Sequence, residues 1–129
     1  MDVFETKIIV KECDLDELNH VNNIRYVEWV QEIAKQHWQN KATHNILSTY
    51  FWVMTKHCIE YKNQALLHET LNIKTYIKAN EGAISTRIVE ISNEHSNTLI
   101  AKSETKWCLI SMKSKRPVRI TEKITHLFE

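Results

Sequence analysis

The sequence is nearly free of the two residues that most often interrupt regular structure. Among 129 residues there is one glycine, Gly82, and one proline, Pro117. The dinucleotide fingerprint and the P-loop need several glycines, because their turns bring the backbone close to a phosphate. Nucleotide-dependent chemistry is therefore not expected. Without a glycine-rich or proline-rich linker or an internal repeat, residues 1–129 are predicted to form one domain.

Long apolar runs and a strong charge of one sign are also missing. No stretch approaches the roughly 18 apolar residues that a membrane helix needs, and residues 1–5 lack the regions of a signal peptide. The 17 Lys and Arg residues nearly balance the 16 Asp and Glu residues. This balance gives no overall attraction to nucleic acid or to an anionic membrane. We expect a cytoplasmic protein with neither as a partner.

Cysteine is scarce, and its spacing excludes the common cysteine frameworks. Cys13, Cys58 and Cys108 are odd in number and far apart, which fits reduced thiols better than disulfides. No pair has the C-x-x-C spacing typical of structural zinc sites. Cys13 is interpreted as a buried thiol at a strand end rather than as a nucleophile. No metal and no cofactor are predicted.

The apolar pattern predicts one strand, one long helix and four further strands. Alternation from Val3 to Lys11 has the period of a half-buried strand. From Ile24 to about Lys41 the period becomes helical. The apolar stripe of this helix is formed by Ile24, Val27, Val30, Ala34 and Trp38. Alternation returns in four segments, which are Trp52–Tyr61, Thr70–Ile77, Ala83–Ile91 and Leu99–Ile110.

Turn residues indicate how these strands connect. Gly82 after Asn80-Glu81, and the polar segment Asn93–Asn97, each predict a hairpin. Hairpins join antiparallel neighbours, so the fold class is α+β, with one antiparallel sheet packed against one long helix. The stretch from Thr43 to Tyr50 shows no clear period, and no element is predicted there.

The loop before the helix concentrates polar groups. Residues 13–23 contain three acids, one histidine and three asparagines. A helix start offers unpaired N–H groups and a partial positive charge, which stabilise an oxyanion, and a nearby acid can act as base or nucleophile. The same residues are also typical of simple helix caps. The loop composition alone leaves both interpretations open.

Specific motifs in this loop resemble those of hotdog-fold thioesterases. Residues 14–16 (D-L-D), 20–23 (H-V-N-N) and Tyr26 are similar to the D-x-D and H-V-N-N-x-x-Y of the 4-hydroxybenzoyl-CoA thioesterase and acyl-ACP thioesterase branch. Residues 59–61 (I-E-Y) and 116–118 (R-P-V) resemble its I-x-Y and closing R-P-V. The resemblance implies a five-stranded antiparallel sheet wrapped around one long central helix. It also implies dimers with a continuous sheet and acyl sites at their interface.

The resemblance assigns roles to the loop residues. Asp16 is implied as the catalytic carboxylate, which either activates water or attacks the thioester carbonyl, while Asp14 is secondary. Backbone amides from His20 to Asn23 are expected to hold the oxyanion. His20 and Asn22 or Asn23 are expected to shape the loop, bind Asp16 or contact the pantetheine arm. For Asn23, helix capping is the favoured role.

Two departures separate this chain from plant acyl-ACP thioesterases with a similar loop. Those enzymes have Asn where Leu18 stands, and an acidic or Cys-containing pair near Gln64-Ala65. The differences favour the simpler bacterial type with one essential Asp. Glu60 and Gln64 are candidates to contact substrate in a partner's site, and Tyr26 is a further candidate substrate-binding residue.

Two other groups are candidates for substrate contact. Lys113, Lys115, Arg116 and Arg119 form a basic cluster suited to coenzyme A phosphates or an acidic carrier protein, with a solvated surface as the alternative. Five aromatic residues are candidates to bound an acyl pocket or to pack in the core: Trp29, Trp38, Tyr50, Phe51 and Trp52. Trp38 is predicted to be packed, and residues 50–52 to line an interface or channel.

The function predicted from the sequence is hydrolysis of an acyl-CoA or acyl-ACP thioester to a free acid and a thiol by a homodimer or homotetramer. One alternative is a non-catalytic hotdog module that binds acyl groups or carrier protein. Another is a hotdog dehydratase with a histidine base, which the D-x-D and H-V-N-N motifs disfavour.

Overall fold

Five antiparallel strands and one long helix make up most of the molecule. A computed structural model of the chain describes residues 1–129. Its elements are β1 Phe4–Ile9, α1 Asn23–Lys41, α2 His44–Thr49, β2 Tyr50–Tyr61, β3 Thr70–Glu81, β4 Ile84–Asn93, β5 Leu99–Ser111 and α3 Glu122–Thr125. Short 3-10 turns cover residues 12–14 and 126–128. The predicted α+β class and the five antiparallel strands are confirmed.

The strands form one sheet in the order β1-β3-β4-β5-β2. Gly82 has a φ of +61° in the β3–β4 hairpin, and Asn97 has a φ of 59° in the turn before β5. Both predicted hairpins are confirmed, because β3 pairs with β4 and β4 with β5. The twelve residues of β2 lie at the sheet edge and pair only with β5.

A bulge in β2 exchanges the faces of its side chains. The register with β5 shifts between Met54 and Lys56, and an extra residue in one strand reverses the alternation of side chains beyond it. Trp52 before the bulge and Ile59 after it both pack against the apolar core. Even positions before the bulge therefore face the same side as odd positions after it, which puts Tyr61 on the inner face and Glu60 on the outer one.

Helix α1 packs across the inner face of the sheet. Its buried residues are Tyr26, Trp29, Val30, Ile33, Ala34 and His37. The predicted stripe is wrong at its start, because Ile24 is 68% exposed in the first turn. The larger apolar areas of Tyr26 and Trp29 set the buried face instead. None of the helices is both long and apolar enough to cross a membrane.

Two short helical segments were not predicted. The Thr43 side chain caps α2 by accepting from the N–H of Ile46, at 3.2 Å, and six residues are too few to show a clear period. At the C-terminus, α3 and the turn after it carry Ile124 and Phe128 back into buried positions. The Asp2 N–H donates to the Phe128 carbonyl at 2.9 Å, which holds the two termini together.

Candidate active site

The loop that carries the D-x-D motif is closed on itself by backbone contacts. Leu15 and Val21 form an antiparallel bridge. Inside it, the Asp16 N–H donates to the His20 carbonyl at 2.7 Å, and the Asn19 N–H to the Asp16 carbonyl at 3.1 Å. Asn19 has a φ of 62°, a conformation that Asn tolerates better than most residues. The loop thus has a defined shape rather than that of an open linker.

The Asp16 carboxylate is half-buried and held through one of its two oxygens. Oδ1 accepts the backbone N–H groups of Leu18, at 2.9 Å, and His20, at 3.1 Å. Oδ2 accepts no hydrogen bond from the chain, and the His20 imidazole makes none. His20 therefore fixes Asp16 through its backbone, as the loop-shaping interpretation expects. A carboxylate with one fixed and one free oxygen suits a base or a nucleophile.

Asp14 has a structural role. Its side chain is buried, at 4% exposure, and accepts the N–H of Lys11 at 2.9 Å and the Nε–H of Arg25 at 2.8 Å. Burial lowers the pKa of Arg25, but the hydrogen bond and charge of Asp14 outweigh this effect and raise it overall. Asp14 joins the loop to the first turn of α1, and both of its oxygens are engaged.

The helix cap is Asn22 rather than Asn23. The Asn22 side chain accepts the N–H of Ile24 at 3.0 Å, and Asn22 has the extended backbone of a cap residue, with φ −63° and ψ 133°. The Asn22 N–H donates to the Asp14 carbonyl at 2.9 Å, which holds this extended conformation. Asn23 is the first residue of α1. The prediction that Asn23 caps the helix is therefore wrong.

Only one amide of the predicted oxyanion site is free. Three N–H groups within residues 20–23 are bonded: His20 to Asp16 Oδ1, Val21 to the Ala65 carbonyl and Asn22 to the Asp14 carbonyl. The Asn23 N–H has no acceptor in the chain. It lies at the positive end of α1, where a developing negative charge is stabilised. Of the four backbone N–H groups that were expected to bind the oxyanion, only that of Asn23 is therefore available.

Tyr26 belongs to the core. It is 3% exposed, its hydroxyl accepts the N–H of Ala65 at 3.2 Å, and its ring lies 5.7 Å from that of Tyr61. Burial raises the pKa of Tyr26. This residue anchors the segment after β2 beneath the helix start, which speaks against the predicted substrate contact. The Tyr61 hydroxyl reaches the Asn23 carbonyl at 3.4 Å.

The predicted contacts at Glu60 and Gln64 have different outcomes. Glu60 lies on the outer face of β2 and pairs with the Lys62 Nζ at 2.9 Å, which lowers the pKa of Glu60. The outer position speaks against a role for Glu60 in an inner-face site. Gln64 is exposed in the loop after β2, and its neighbour Ala65 is bonded to Val21 of the Asp16 loop. Gln64 therefore lies beside the candidate site.

A large cavity lies along the other half of α1. It has a volume of about 540 Å³ between α1, the start of β2 and the middle of the sheet, and 10 of its 15 lining residues are hydrophobic. Its aromatic residues are Trp38, Tyr50, Phe51, Trp52, Trp107 and Phe128. Residues 50–52 thus line a cavity, as predicted. Trp38 is packed against buried residues, as predicted, and it also lines the cavity, while Trp29 is a core residue at 2% exposure.

The cavity has a polar floor that the sequence patterns did not indicate. Arg87 of β4 lines it at 5% exposure, and burial lowers the pKa of Arg87 to about 10. Its Nη1 donates to Thr75 Oγ1 and to His37 Nδ1, both at 2.9 Å. A guanidinium only donates, so the other nitrogen, His37 Nε2, carries the proton toward Asp2 Oδ2 at 2.6 Å. Burial lowers the pKa of His37, which agrees with a neutral ring.

The basic cluster lies at the rim of this cavity. Lys113, Lys115 and Arg116 occupy the turn after β5, where the Met112 N–H donates to the Thr49 carbonyl at 2.9 Å, and Arg119 lies in the segment that follows this turn. The Lys115 Nζ lies 5.5 Å from the centroid of the Phe51 ring, and Phe51 and Met112 both line the cavity. The exposed Lys113 and Arg116 belong to this turn. The cluster therefore adjoins the cavity rather than the Asp16 loop of the same chain.

The cysteine thiols and the other side chains able to bind metals do not come together in a further site. Cys13 and Cys58 are exposed, and Cys108 is buried. The prediction that Cys13 is buried is wrong, because the 3-10 turn of residues 12–14 directs Asp14 inward instead. No three His, Cys, Asp or Glu side chains come together in an arrangement that would hold a metal ion.

The chain combines five antiparallel strands, one long helix and, in the loop before that helix, a carboxylate fixed by two backbone N–H groups. Residues 1–128 match the family model of the acyl-ACP thioesterase N-terminal domain. The chain belongs to this family, and its class of activity is thioester hydrolysis. No curated protein sequence matches it.

Solved structures share the fold over nearly the whole chain. YbaW, a probable thioesterase from Escherichia coli, has 22% identity and a TM-score of 0.86, covering 95% of this chain and 94% of its own. Slr0204, a 1,4-dihydroxy-2-naphthoyl-CoA thioesterase from Synechocystis, has 16% identity and a TM-score of 0.83, with coverages of 98% and 95%. SAV2348 from Staphylococcus aureus, in complex with CoA, has 14% identity and a TM-score of 0.85, with coverages of 98% and 81%.

Proposed function

We propose that this protein hydrolyses acyl thioesters of coenzyme A or of acyl carrier protein, with Asp16 as the catalytic carboxylate. The observation that carries the proposal is the fixed Asp16 side chain, whose Oδ2 is free, in the loop that leads directly into α1. The free N–H of Asn23 at the start of that helix supports the proposal, because it supplies a donor for the oxyanion.

Two chemical routes are compatible with this arrangement. In one, Asp16 Oδ2 removes a proton from water as the water attacks the thioester carbonyl. In the other, Oδ2 attacks the carbonyl, the thiol leaves and water hydrolyses the mixed anhydride. Rapid-quench mass spectrometry during a single turnover separates them, since only the second route forms a covalent adduct in which the acyl mass is added to the chain at Asp16.

A second copy of the chain completes the proposed site. Asn23 and Trp38 are 15 positions apart on α1 (38 − 23), which is roughly 22 Å at 1.5 Å per residue. Within one chain the Asp16 loop and the cavity therefore belong to opposite halves of the helix. We propose that they meet across a homodimer.

The geometry of β2 supports this pairing. One edge of β2 is free, and an exposed strand of twelve residues is a ready template for a second strand. Antiparallel pairing about a two-fold axis near the bulge would bring the Tyr61 end of one β2 beside the Tyr50 end of its partner. The Asp16 loop adjoins the first end and the cavity adjoins the second.

In this arrangement the acyl group enters the partner's cavity while its carbonyl carbon lies at Asp16. The basic residues Lys113, Lys115 and Arg116 stand near the cavity rim, where they would meet phosphate groups of the substrate. The CoA complex of a structural neighbour supports a substrate of this chemistry. Higher assembly, such as a homotetramer, remains a prediction.

Hydrolysis by matched variants tests the proposed function. Asp16→Asn removes the base or nucleophile and is expected to lower kcat by about 10²–10⁴-fold on acyl-CoA or acyl-ACP substrates. Glu17→Gln changes the neighbouring exposed acid and should leave kcat unchanged. Release of free thiol from short, long and aromatic acyl-CoAs and from acyl-ACP is the measurement. A wild-type protein that binds these thioesters without hydrolysing any of them would instead be a binding module.

A further inference from the structure

The guanidinium of Arg87, on the floor of the cavity, has hydrogen-bond donors that no group of the chain accepts. Arg87 makes its two side-chain hydrogen bonds through Nη1 alone. Its Nε–H and Nη2–H groups have no acceptor in the chain, although the residue is 5% exposed and lines the cavity. These two groups form one side of the guanidinium fork, and that side matches the two oxygens of a carboxylate.

The charges around Arg87 do not cancel within the chain. Its hydrogen-bond partners, Thr75 and the His37 ring, are neutral, as is the Phe128 ring, whose centroid lies 5.8 Å from Arg87 Cζ. Asp2 is reached only through His37. Asp2 also pairs with the Lys41 Nζ at 3.2 Å. One carboxylate thus serves two cations, which leaves one positive charge in excess. A buried charge is costly unless it is paired, so an anion entering the cavity is favoured at this point.

The rest of the cavity is suited to a ligand in which an apolar chain or ring is attached to the anionic group. Its walls include the rings of Trp38, Trp52 and Trp107. A volume of about 540 Å³ is in the range of pockets that enclose a small organic ligand. The ligand that fits both features has an apolar chain or ring and an anionic group at its far end.

We propose that the cavity binds an acyl group that carries a carboxylate at the end remote from the thioester, and that Arg87 recognises this carboxylate. The inference rests on the proposed function, because the acyl group belongs to the thioester that Asp16 hydrolyses. Arg87 is thereby the specificity-determining residue of the site. It takes no part in bond cleavage.

Matched pairs of acyl-CoAs test this specificity by binding alone. The pairs are hexanoyl with adipoyl, octanoyl with suberoyl and decanoyl with sebacoyl, and the members of each pair have equal carbon numbers. Kd is measured with the Asp16→Asn protein, so that turnover does not interfere, by quenching of the cavity tryptophans. With Arg87 intact, the carboxylated member of at least one pair should bind about tenfold tighter or more, as a charge-assisted bidentate contact provides.

Substitution of Arg87 assigns the preference to this residue. In the Asp16→Asn background, Arg87→Met should abolish the preference for the carboxylated member of each pair, while Arg87→Lys should retain part of this preference. Equal affinities within every pair while Arg87 is intact would overturn the proposal, as would a preference that survives in Arg87→Met. If circular dichroism shows that Arg87→Met does not fold, the proposal is tested by comparing the acyl-CoA pairs on the protein with intact Arg87 and on the Arg87→Lys protein.

The outcomes also separate this inference from the proposed function. Hydrolysis of plain acyl-CoAs by the wild-type protein, with no preference for carboxylated partners in binding or kcat/KM, would overturn only the role of Arg87. A preference in binding without hydrolysis of any thioester by the wild-type protein would overturn only the catalytic proposal.

Discussion

The two halves of helix α1 carry sites of different construction. At its start, the Asp16 loop is built from neighbours in sequence, and its hydrogen bonds span a few residues. Along its second half, the cavity gathers side chains from α1, from four strands and from the C-terminus. The first holds one carboxylate near solvent, and the second buries one guanidinium. The difference separates the proposed reactive group, which local backbone contacts position, from the proposed recognition pocket, which the folded sheet assembles.

After the loss expected for Asp16→Asn, the largest expected effect concerns the free amide at the helix start. Asn23→Pro removes this N–H, and proline is well accepted at the first position of a helix. The preceding Asn22 already has the extended backbone that a following proline requires. We expect kcat to fall about 10²–10³-fold with the fold retained, as measured by thiol release and circular dichroism.

The control for this variant is Asn23→Ala, which keeps the N–H and should leave kcat close to that of the wild-type protein. An Asn23→Pro protein with unchanged kcat would remove the Asn23 amide from the mechanism without touching the role of Asp16.

The next effect separates the two acids of the D-x-D motif. Asp14→Asn weakens the buried contact with Arg25 and should reduce the free energy of unfolding by about 2 kcal/mol. The fraction of the protein that remains folded should keep the wild-type kcat, because Asp14 contributes to the structure of the loop and not to the reaction. Urea denaturation with parallel assays provides the measurement, and Glu12→Gln is the exposed neighbour for comparison. A stable Asp14→Asn protein without activity would mean that Asp14, too, acts in catalysis.

A smaller effect is expected at the helix cap. Asn22→Ala removes the side-chain acceptor for the Ile24 N–H and should cost about 1 kcal/mol of unfolding free energy. Asn23→Ala changes a first-turn residue without a capping contact and should have almost no effect on stability. Equal losses in the two variants, measured by thermal and urea unfolding, would contradict the assignment of Asn22 as the cap.

The last expected effect is a pH dependence of stability at the cavity floor. Burial lowers the pKa of His37 below its usual 6.5. As the pH falls below 6.5, His37 therefore becomes protonated in the unfolded chain while it stays neutral in the folded protein. Stability is therefore fully present above pH 6.5 and falls as the pH decreases through this value, by up to about 1 kcal/mol per pH unit. His57 acts in the same direction, because burial also lowers its pKa.

The variant that isolates His37 is His37→Gln, which should have a shallower loss of stability than the wild-type protein between pH 7.5 and pH 5.5. Urea titrations at several pH values provide the comparison. Identical slopes for the two proteins would show that His37 is not the group responsible.

The sequence predicts the Asp16 loop better than the cavity, for physical reasons. The loop depends on caps and turns, which act over a few residues and have characteristic residue types. The face of Glu60 was not predictable, because the bulge between Met54 and Lys56 has no glycine or proline to mark it. The hydrogen-bond network of Asp2, His37 and Arg87 could not be predicted from sequence patterns, because these residues are far apart in the chain and meet only in the folded structure.

The claim that joins the two regions is that Asp16 of one chain acts on an acyl group held in the cavity of its partner. Two inactive variants test it when mixed: Asp16→Asn, and Gln31→Trp, which adds bulk to the cavity from an exposed helix position. After co-refolding, mixed dimers contain one site with an intact Asp16 and an intact cavity. We predict that the mixture recovers thioesterase activity approaching one quarter of the wild-type value, by statistical pairing. A mixture that stays as inactive as its two parents would contradict the shared site.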